Sequence, residues 1–300
     1  FWQDRLGKNH AVNDSLRGHE WLPKLQQNTK ALVAFEKENF KVFYRFDYLD
    51  ETIENYNDIV DENYNSATQT TNPSANDEIF TNKRFYHHLN STGNLFSTIA
   101  YNVSVSYQEQ TKELERYTYR IRTGEKENVE KGEYQSRKAF FSRGTFSNLF
   151  QTENFNAQLG YETTLENGQG SSAAIVINPG EELIAQDLNN YDFFAASEWQ
   201  LSERFSLRPG VRVSFSNLFG PQYIGSLSAK QNLGNDWELR GVLGSANRTP
   251  NYDELYTYFV DVNHNLQGNP NLAPEKGLTA FLHLKKSEQF LEGTLRLKHK

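Results

Sequence analysis

The chain has 300 residues, of which 37% are hydrophobic and 14% aromatic, with a net charge of -7. This acidic balance disfavours nucleic acid as a partner, and the absence of cysteine excludes disulfides, thiol catalysis and cysteine zinc sites. No run approaches the roughly 18 apolar residues of a membrane-spanning helix. A spanning β-barrel stays compatible with the composition, because half of each barrel strand can be polar.

Alternating apolar and polar residues form the clearest pattern along the chain. The runs are about ten residues long, which fits a tilted membrane-crossing strand better than the roughly five or six residues of a β-sandwich strand. About twelve such runs occur. They lie at residues 30–35, 42–48, 84–89, 95–107, 134–146, 155–163, 191–199, 207–215, 223–231, 237–245, 278–285 and 291–298.

The connections between these runs alternate between short and long. The short turns are at residues 36–39, 91–94, 150–153, 202–204, 234–236 and 287–289. The long polar connections are at 50–79, 108–133, 166–190 and 247–275, and only 217–221 is brief where a long one is due. In an up-and-down meander all the short turns share one rim and the long loops share the other. The sequence therefore predicts an all-β fold, an antiparallel transmembrane barrel with about twelve strands here.

The last two runs predict which side chains face lipid. Charged side chains at the middle of the bilayer cost about 2 to 4 kcal/mol, whereas the lumen is wet. The residues predicted to face lipid are Leu278, Ala280, Leu282, Leu284, Leu291, Gly293, Leu295 and Leu297. Those predicted to face the lumen are His283, Lys285, Glu292, Arg296 and Lys298.

The connection at residues 247–275 carries the most specific motif. Gly268 allows positive φ, while Pro270 and Pro274 fix φ, so the chain is steered stiffly from a loop into a strand. The motif residues are Arg248, Pro250, Glu254, Leu255 and Tyr256, then Gly268, Asn269, Pro270, Leu272, Pro274 and Glu275. Together they resemble the loop-and-strand signature of TonB-dependent outer-membrane receptors. Read without the family, the same residues predict a structural elbow.

The same connection is the predicted ligand-binding loop. It carries Tyr252, Tyr256, Tyr258, Phe259 and His264, and tyrosine suits a solvent-facing binding surface because it joins an apolar ring to a hydroxyl donor. Burial of the loop against its neighbours is the alternative for these aromatic residues. His264 is in addition a candidate ligand for haem iron. Haem receptors of the family show Phe and Ala where this chain has Asn247 and Thr249.

The resemblance implies TonB-energised uptake of a scarce ligand across the outer membrane of a Gram-negative bacterium. Residues 1–300 would then be a partial barrel domain, with a plug domain before it and further strands after it, since plugged transporters have about 22 strands. The implied partners are the TonB complex, acting through the plug, outer-membrane lipid, and an iron chelate, haem, cobalamin, glycan or peptide ligand. No catalytic residue, metal or cofactor is predicted. The alternatives are a self-contained outer-membrane pore or enzyme, and a soluble glycan-binding β protein.

Overall fold

The computed structural model describes residues 2–3, 17, 23–96, 98–150, 152–170, 185–256, 258–260, 265–290 and 293–299. Within this part of the chain almost every element is a strand, and no helix is long and apolar enough to cross a membrane. The elements are β1 Trp2–Gln3, β2 Lys24–Lys37, β3 Phe40–Asn55, β4 Ile59–Asp61, β5 Ser74–Leu95, β6 Ile99–Arg120, β7 Lys126–Ser147, β8 Phe155–Gly170, β9 Ala185–Ser202, β10 Phe205–Ser216, β11 Gln222–Gly234, β12 Trp237–Arg248, α1 Tyr252–Tyr256, β13 Tyr258–Val260, β14 Asn265–Gln267, β15 Glu275–Phe290 and β16 Gly293–His299.

One antiparallel sheet contains all the long strands in chain order. Its path runs β1-β2-β3, then β5 through β12, then β15 and β16, so each long strand pairs with its neighbours in the sequence. The short turns join alternate strands at one rim. In the turn between β11 and β12, Gly234, Asn235 and Asp236 take φ values of 84°, 48° and 63°, a left-handed conformation that suits a tight hairpin. The predicted up-and-down meander of about twelve long strands is confirmed.

Two of the predicted long connections are wrong in length. β5, β6 and β7 each have 22 residues, and only residues 121–125 separate β6 from β7, where a connection over 108–133 was predicted. The same correction shortens the connection at 50–79, because β3 reaches Asn55 and β5 begins at Ser74. Apolar alternation ends before these strands do, but the backbone ladder continues.

Charged pairs across the ladder join these extensions, which also bury Ala75, Leu114 and Tyr117. Glu78 pairs with Arg116 on the adjacent strand at 2.9 Å, and Lys126 pairs with Glu115 at 3.1 Å. Arg17 also joins this extension: its guanidinium is paired with buried Asp77 and lies 5.7 Å and 5.4 Å from the ring centroids of Tyr56 and Tyr119. A polar stretch of this kind predicts a loop, although its residues form hydrogen-bonded strands in the structure.

The other long connections differ in how much of them is strand. β8 continues to Gly170 and β9 begins at Ala185, so both ends of the predicted 166–190 connection are strand, while residues 171–184 lie outside the described part of the chain. The connection between β12 and β15 has elements of its own, because it contains α1 and the small hairpin of β13 and β14.

The strand register agrees with the predicted faces of β15 and β16. Leu278 and Leu282 are 87% and 66% exposed on the outward face, and Ala280 and Leu284 share their parity. In the ladder Lys285 pairs with Lys298 and Ser287 pairs with Arg296, so these positions have the register of His283. Gly293, Leu295 and Leu297 alternate with Arg296 and Lys298 along β16, as predicted. Leu291 and Glu292 lie outside the described residues.

Candidate functional site

A capping box starts α1 immediately after Pro250. The N–H of Glu254 donates to Oδ1 of Asn251 at 2.9 Å, and the N–H of Asn251 donates to Oε2 of Glu254 at 2.8 Å. These reciprocal bonds satisfy two backbone donors that a helix start would otherwise leave unpaired. The sequence Asn-Tyr-Asp-Glu therefore specifies a short helix at this point of the connection.

Arg248 ties α1 to the base of the connection. Its guanidinium reaches Glu254 at 2.9 Å and Glu275, the first residue of β15, at 2.8 Å. Arg248 and Glu275 are also opposite each other in the ladder between β12 and β15. The hydrogen bonds from Arg248, followed by the bond from the Asn251 N–H, lower the pKa of Glu254. Arg248, the last residue of β12, thus joins the helix to the first residue of β15.

Gly268 and Asn269 close the connection onto the helix. A Cβ at Gly268 would come within 2.7 Å of the Leu255 carbonyl oxygen and the Tyr256 nitrogen, so only glycine fits there without a shift. The Asn269 N–H donates to the Glu254 carbonyl at 2.9 Å. The Leu272 N–H then donates to the Asn269 carbonyl at 3.2 Å, which forms the turn around Pro270. The described part of residues 248–275 is therefore held together by its own hydrogen bonds and ion pairs.

The helix lies against the inward face of β7 and β8. The Tyr252 ring is 5% exposed, and a Cβ at Gly168 would meet its ring atoms at 2.5 to 2.8 Å. The Arg137 guanidinium lies 4.5 Å from the centre of the same ring. Arg137 also forms a two-pronged ion pair with Asp253, with one nitrogen-to-oxygen distance of 3.3 Å. We call this contact of Arg137 and Gly168 with Tyr252 and Asp253 the latch.

A cavity of about 340 Å³ lies beside the latch, between the wall and the start of the connection. Thr249, Pro250 and Asn251 cover it on one side, and strands β8 to β12 form the rest of its lining. Arg212 projects from β10 and pairs with Asp192 at 2.9 Å and with Glu162 at 3.2 Å. Glu166 lines the same cavity, so the lining contains three carboxylates and one guanidinium. The lining thus carries an excess of negative charge.

The predicted binding residues lie in different surroundings. Tyr252 is buried in the latch, and Tyr256 is half-buried with its ring centroid 5.1 Å from that of Tyr252. Tyr258 and Phe259 lie in β13, where they pair with Gln267 and Leu266 of β14. His264 lies outside the described residues. The structure thus brings Tyr252 and Tyr256 together on α1 and places Tyr258 and Phe259 in the hairpin of β13 and β14.

Sequence reasoning missed Arg137, Gly168 and the Arg212 cluster. Arg137 is 116 residues from Asp253 along the chain, so no local spacing connects the two. Gly168 lies in a stretch predicted to be a loop, although the structure places it in β8. The signal in the sequence that could have pointed to them is the phase of alternation, which puts Arg137 and Arg212 on the inward face.

An antiparallel meander with short turns at one rim and a folded long connection at the other is the layout of the class of outer-membrane-type β-barrels. The chain belongs to one family of that class, because the family model "TonB dependent receptor-like, beta-barrel" matches residues 24–296. This family consists of receptors and transporters rather than enzymes. A comparison with curated proteins finds no match.

Solved structures of siderophore receptors share the fold. A variant of the ferric enterobactin receptor PfeA of Pseudomonas aeruginosa is similar with 14% identity and a TM-score of 0.59, over 89% of this chain and 41% of that one. The siderophore receptor PirA of Acinetobacter baumannii has 13% identity and a TM-score of 0.55 over the same shares. PirA of Pseudomonas aeruginosa has 14% identity and a TM-score of 0.51, over 89% of this chain and 50% of its own. The chain therefore spans at most half the length of these receptors.

Proposed function

We propose that the chain is part of the barrel of an outer-membrane receptor that takes up an iron chelate with energy from the TonB complex. The observation that carries the proposal is the connection between β12 and β15, which is folded at the rim of the long connections and docked on the inward wall. A connection needed only to join two strands would have a few residues. Membership of the TonB-dependent receptor family and the fold shared with siderophore receptors support the same proposal.

The rest of the receptor is part of this proposal. A plug domain would block the lumen and carry the contact with TonB, and further strands would complete a barrel of about 22. The rim of the long connections would face the outside of a Gram-negative cell. Ligand would then meet Tyr256, Tyr258 and Phe259 first, while Tyr252 would act by holding α1 in place.

Uptake by the full-length receptor tests the function. Cells that lack their other iron receptors would be supplied with radioactive ferric enterobactin, the chelate named for one of the structural relatives. The expected result is accumulation that requires both the receptor and an intact TonB complex. Accumulation that is unchanged without TonB would contradict energised uptake and favour a passive pore.

His264 separates the ligand subclasses within the same assay. If an imidazole ligates haem iron, His264→Ala abolishes haem uptake and leaves ferric enterobactin uptake unchanged. We expect the haem signal to be absent already in the unmodified receptor, because Asn247 and Thr249 differ from the haem-receptor pattern. Uptake of haem that is lost in His264→Ala would replace the iron-chelate proposal by a haem receptor.

A further inference from the structure

The barrel wall divides between β11 and β12 near the rim of the long connections. The ladder between these strands ends at the pair Ser226 and Gly244, although β11 begins at Gln222 and β12 ends at Arg248. Beyond this pair β11 stays bonded to β10, as far as Ser214 and Gln222. β12 stays bonded to β15, as far as Arg248 and Glu275. The two strand ends therefore belong to separate halves of the wall, with a cleft between them.

A serine hydroxyl takes the place of the missing ladder at the bottom of the cleft. Oγ of Ser245 accepts a hydrogen bond from the Gly225 N–H at 2.9 Å and donates to the Gly225 carbonyl at 3.4 Å. Both backbone groups of Gly225 are thus bonded to a side chain of β12 instead of to its backbone. No heavy atom lies within 4 Å of the position that a Cβ of Gly225 would occupy. The glycine leaves open space on this face.

The cleft opens outward into a cavity of about 560 Å³. This volume lies within the range of about 300 to 1,000 Å³ that is usual for small-molecule sites. Tyr223 and Leu278, which are 71% and 87% exposed, form apolar walls. Ser245, Asn247 and Lys276 supply polar groups at the same place. The cavity therefore combines an apolar groove with one cation and several hydrogen-bonding groups.

Lys276 lies at the height expected for a lipid headgroup. Lys286, ten residues further along β15, lies 5.6 Å from the centre of the Trp237 ring at the rim of the short turns. With a rise of about 3.4 Å per residue and a tilt of about 40°, Lys276 is about 25 Å above Lys286. The apolar band of a spanning barrel is also about 25 Å tall. Lys276 forms no ion pair with any residue in the described part of the chain.

We propose that this cleft binds a membrane lipid through a phosphate in its headgroup. The phosphate pairs with Lys276, headgroup hydroxyls bond to Asn247 and Ser245, and an acyl chain descends along Leu278 and Tyr223 toward the middle of the bilayer. A lipid phosphate is favoured over free phosphate because both walls of the groove are apolar and exposed on the lipid-facing side. The proposal concerns the outer surface of the barrel and does not depend on which ligand the receptor takes up.

Native mass spectrometry of the full-length receptor in a nonionic detergent tests the proposal. The probes are phosphatidylglycerol, a phosphorylated glucosamine lipid, diacylglycerol as an acylated compound without phosphate, and inorganic phosphate as a competitor. We expect one phosphorylated lipid to be retained and diacylglycerol to be lost. Lys276→Ala should weaken retention about fivefold, since one basic residue near a membrane contributes about 1 kcal/mol. The phosphorylated glucosamine lipid should be retained better than phosphatidylglycerol, because the cleft lies at the rim that would face the outside of the cell; better retention of phosphatidylglycerol would overturn this choice of lipid.

Two further variants make the result decisive. Lys286→Ala is the matched control, because it removes a lysine from the same outward face of β15 and should leave retention unchanged. Gly225→Leu fills the open space above Ser245 and should abolish retention while the folded barrel is preserved. Equal losses in Lys276→Ala and Lys286→Ala, full retention in Gly225→Leu, or displacement of the lipid by inorganic phosphate would each overturn the proposal.

Discussion

The latch predicts that Arg137→Ala frees α1 from the wall. Arg137 and Asp253 have side chains that are 32% and 53% exposed, so their ion pair is screened by solvent and contributes about 0.5 to 1 kcal/mol. The stacking of Arg137 on the Tyr252 ring contributes about 0.5 to 1 kcal/mol more at such a site. The sum of about 1 to 2 kcal/mol raises the population of undocked α1 about 5- to 30-fold. The barrel itself should fold normally, because the ladders on both sides of Arg137 are backbone bonds.

Thiol labelling measures this population directly. The printed chain has no cysteine, so Leu255→Cys introduces one thiol on α1, at a residue that is 1% exposed. Leu255 is three residues from Tyr252, which puts both on the same face of the helix. A membrane-impermeant maleimide should therefore react slowly with Leu255→Cys alone and about 5 to 30 times faster when Arg137→Ala is added.

Lys138→Ala is the matched control for this experiment. Lys138 is the next residue of β7, faces the opposite side of the sheet, and pairs with Glu109 at 3.2 Å instead of contacting α1. It should leave the labelling rate unchanged. Equal rates in the Arg137→Ala and Lys138→Ala backgrounds would refute the latch and leave the internal bonds of the connection as the only cause of its position.

Three further predictions concern the same connection. Gly168→Ala should place a methyl group against the Tyr252 ring and speed labelling of Leu255→Cys, whereas Gly220→Ala, at a glycine with nothing within 4 Å, should not; equal rates would show that the ring does not rest on Gly168. The pKa of Glu254 is lowered in the folded state. Its stabilisation of the folded connection is therefore fully present above the ordinary pKa of 4.5 and is lost as the pH falls through the lowered pKa. A nitroxide attached at Asn271→Cys should thus become more mobile below about pH 4.5. In Glu254→Gln it should be mobile at every pH. An identical pH profile in both proteins would show that Glu254 does not hold the connection. Tyr256→Ala should weaken ferric enterobactin binding about tenfold with the same amount of folded receptor in the membrane, and unchanged affinity would remove Tyr256 from the ligand site.

The meander was predictable from sequence, whereas the length of its strands outside the membrane was not. Within the lipid, one face of each strand must be apolar, and alternation reveals it, as in the run from Val42 to Tyr48. Outside the lipid neither face of a strand has to be apolar, because water or other polar side chains can cover both. Pairs such as Glu78 with Arg116 then help to stabilise the ladder, and the buried Leu114 and Tyr117 do not recur with a period of two, so the sequence there resembles a loop. The error at 108–133 follows from this change of solvent.

The site was predictable in part, for a different reason. The interactions that build the connection are local or join its two ends: Asn251 caps Glu254, and Arg248 reaches Glu275 across one ladder pair. The interactions that dock it on the wall involve Arg137 and Gly168, whose distance in space from α1 depends on the curvature of strands β7 to β12. Alternation predicts that Arg137 faces inward, but no pattern in one sequence says which loop it meets.

The burial of Tyr252 changes how the aromatic residues of the connection should be read. An exposed tyrosine on a loop suits ligand capture, because its ring and hydroxyl are both available. The Tyr252 ring is instead enclosed by Gly168 and Arg137, and burial raises the pKa of its hydroxyl. Its position therefore fits an anchor, and we expect the half-buried Tyr256 beside it to be the residue that meets a ligand. Arg137 contributes about 1 to 2 kcal/mol to holding this anchor, so we expect a ligand that binds Tyr256 better in one position of α1 to shift the helix toward that position.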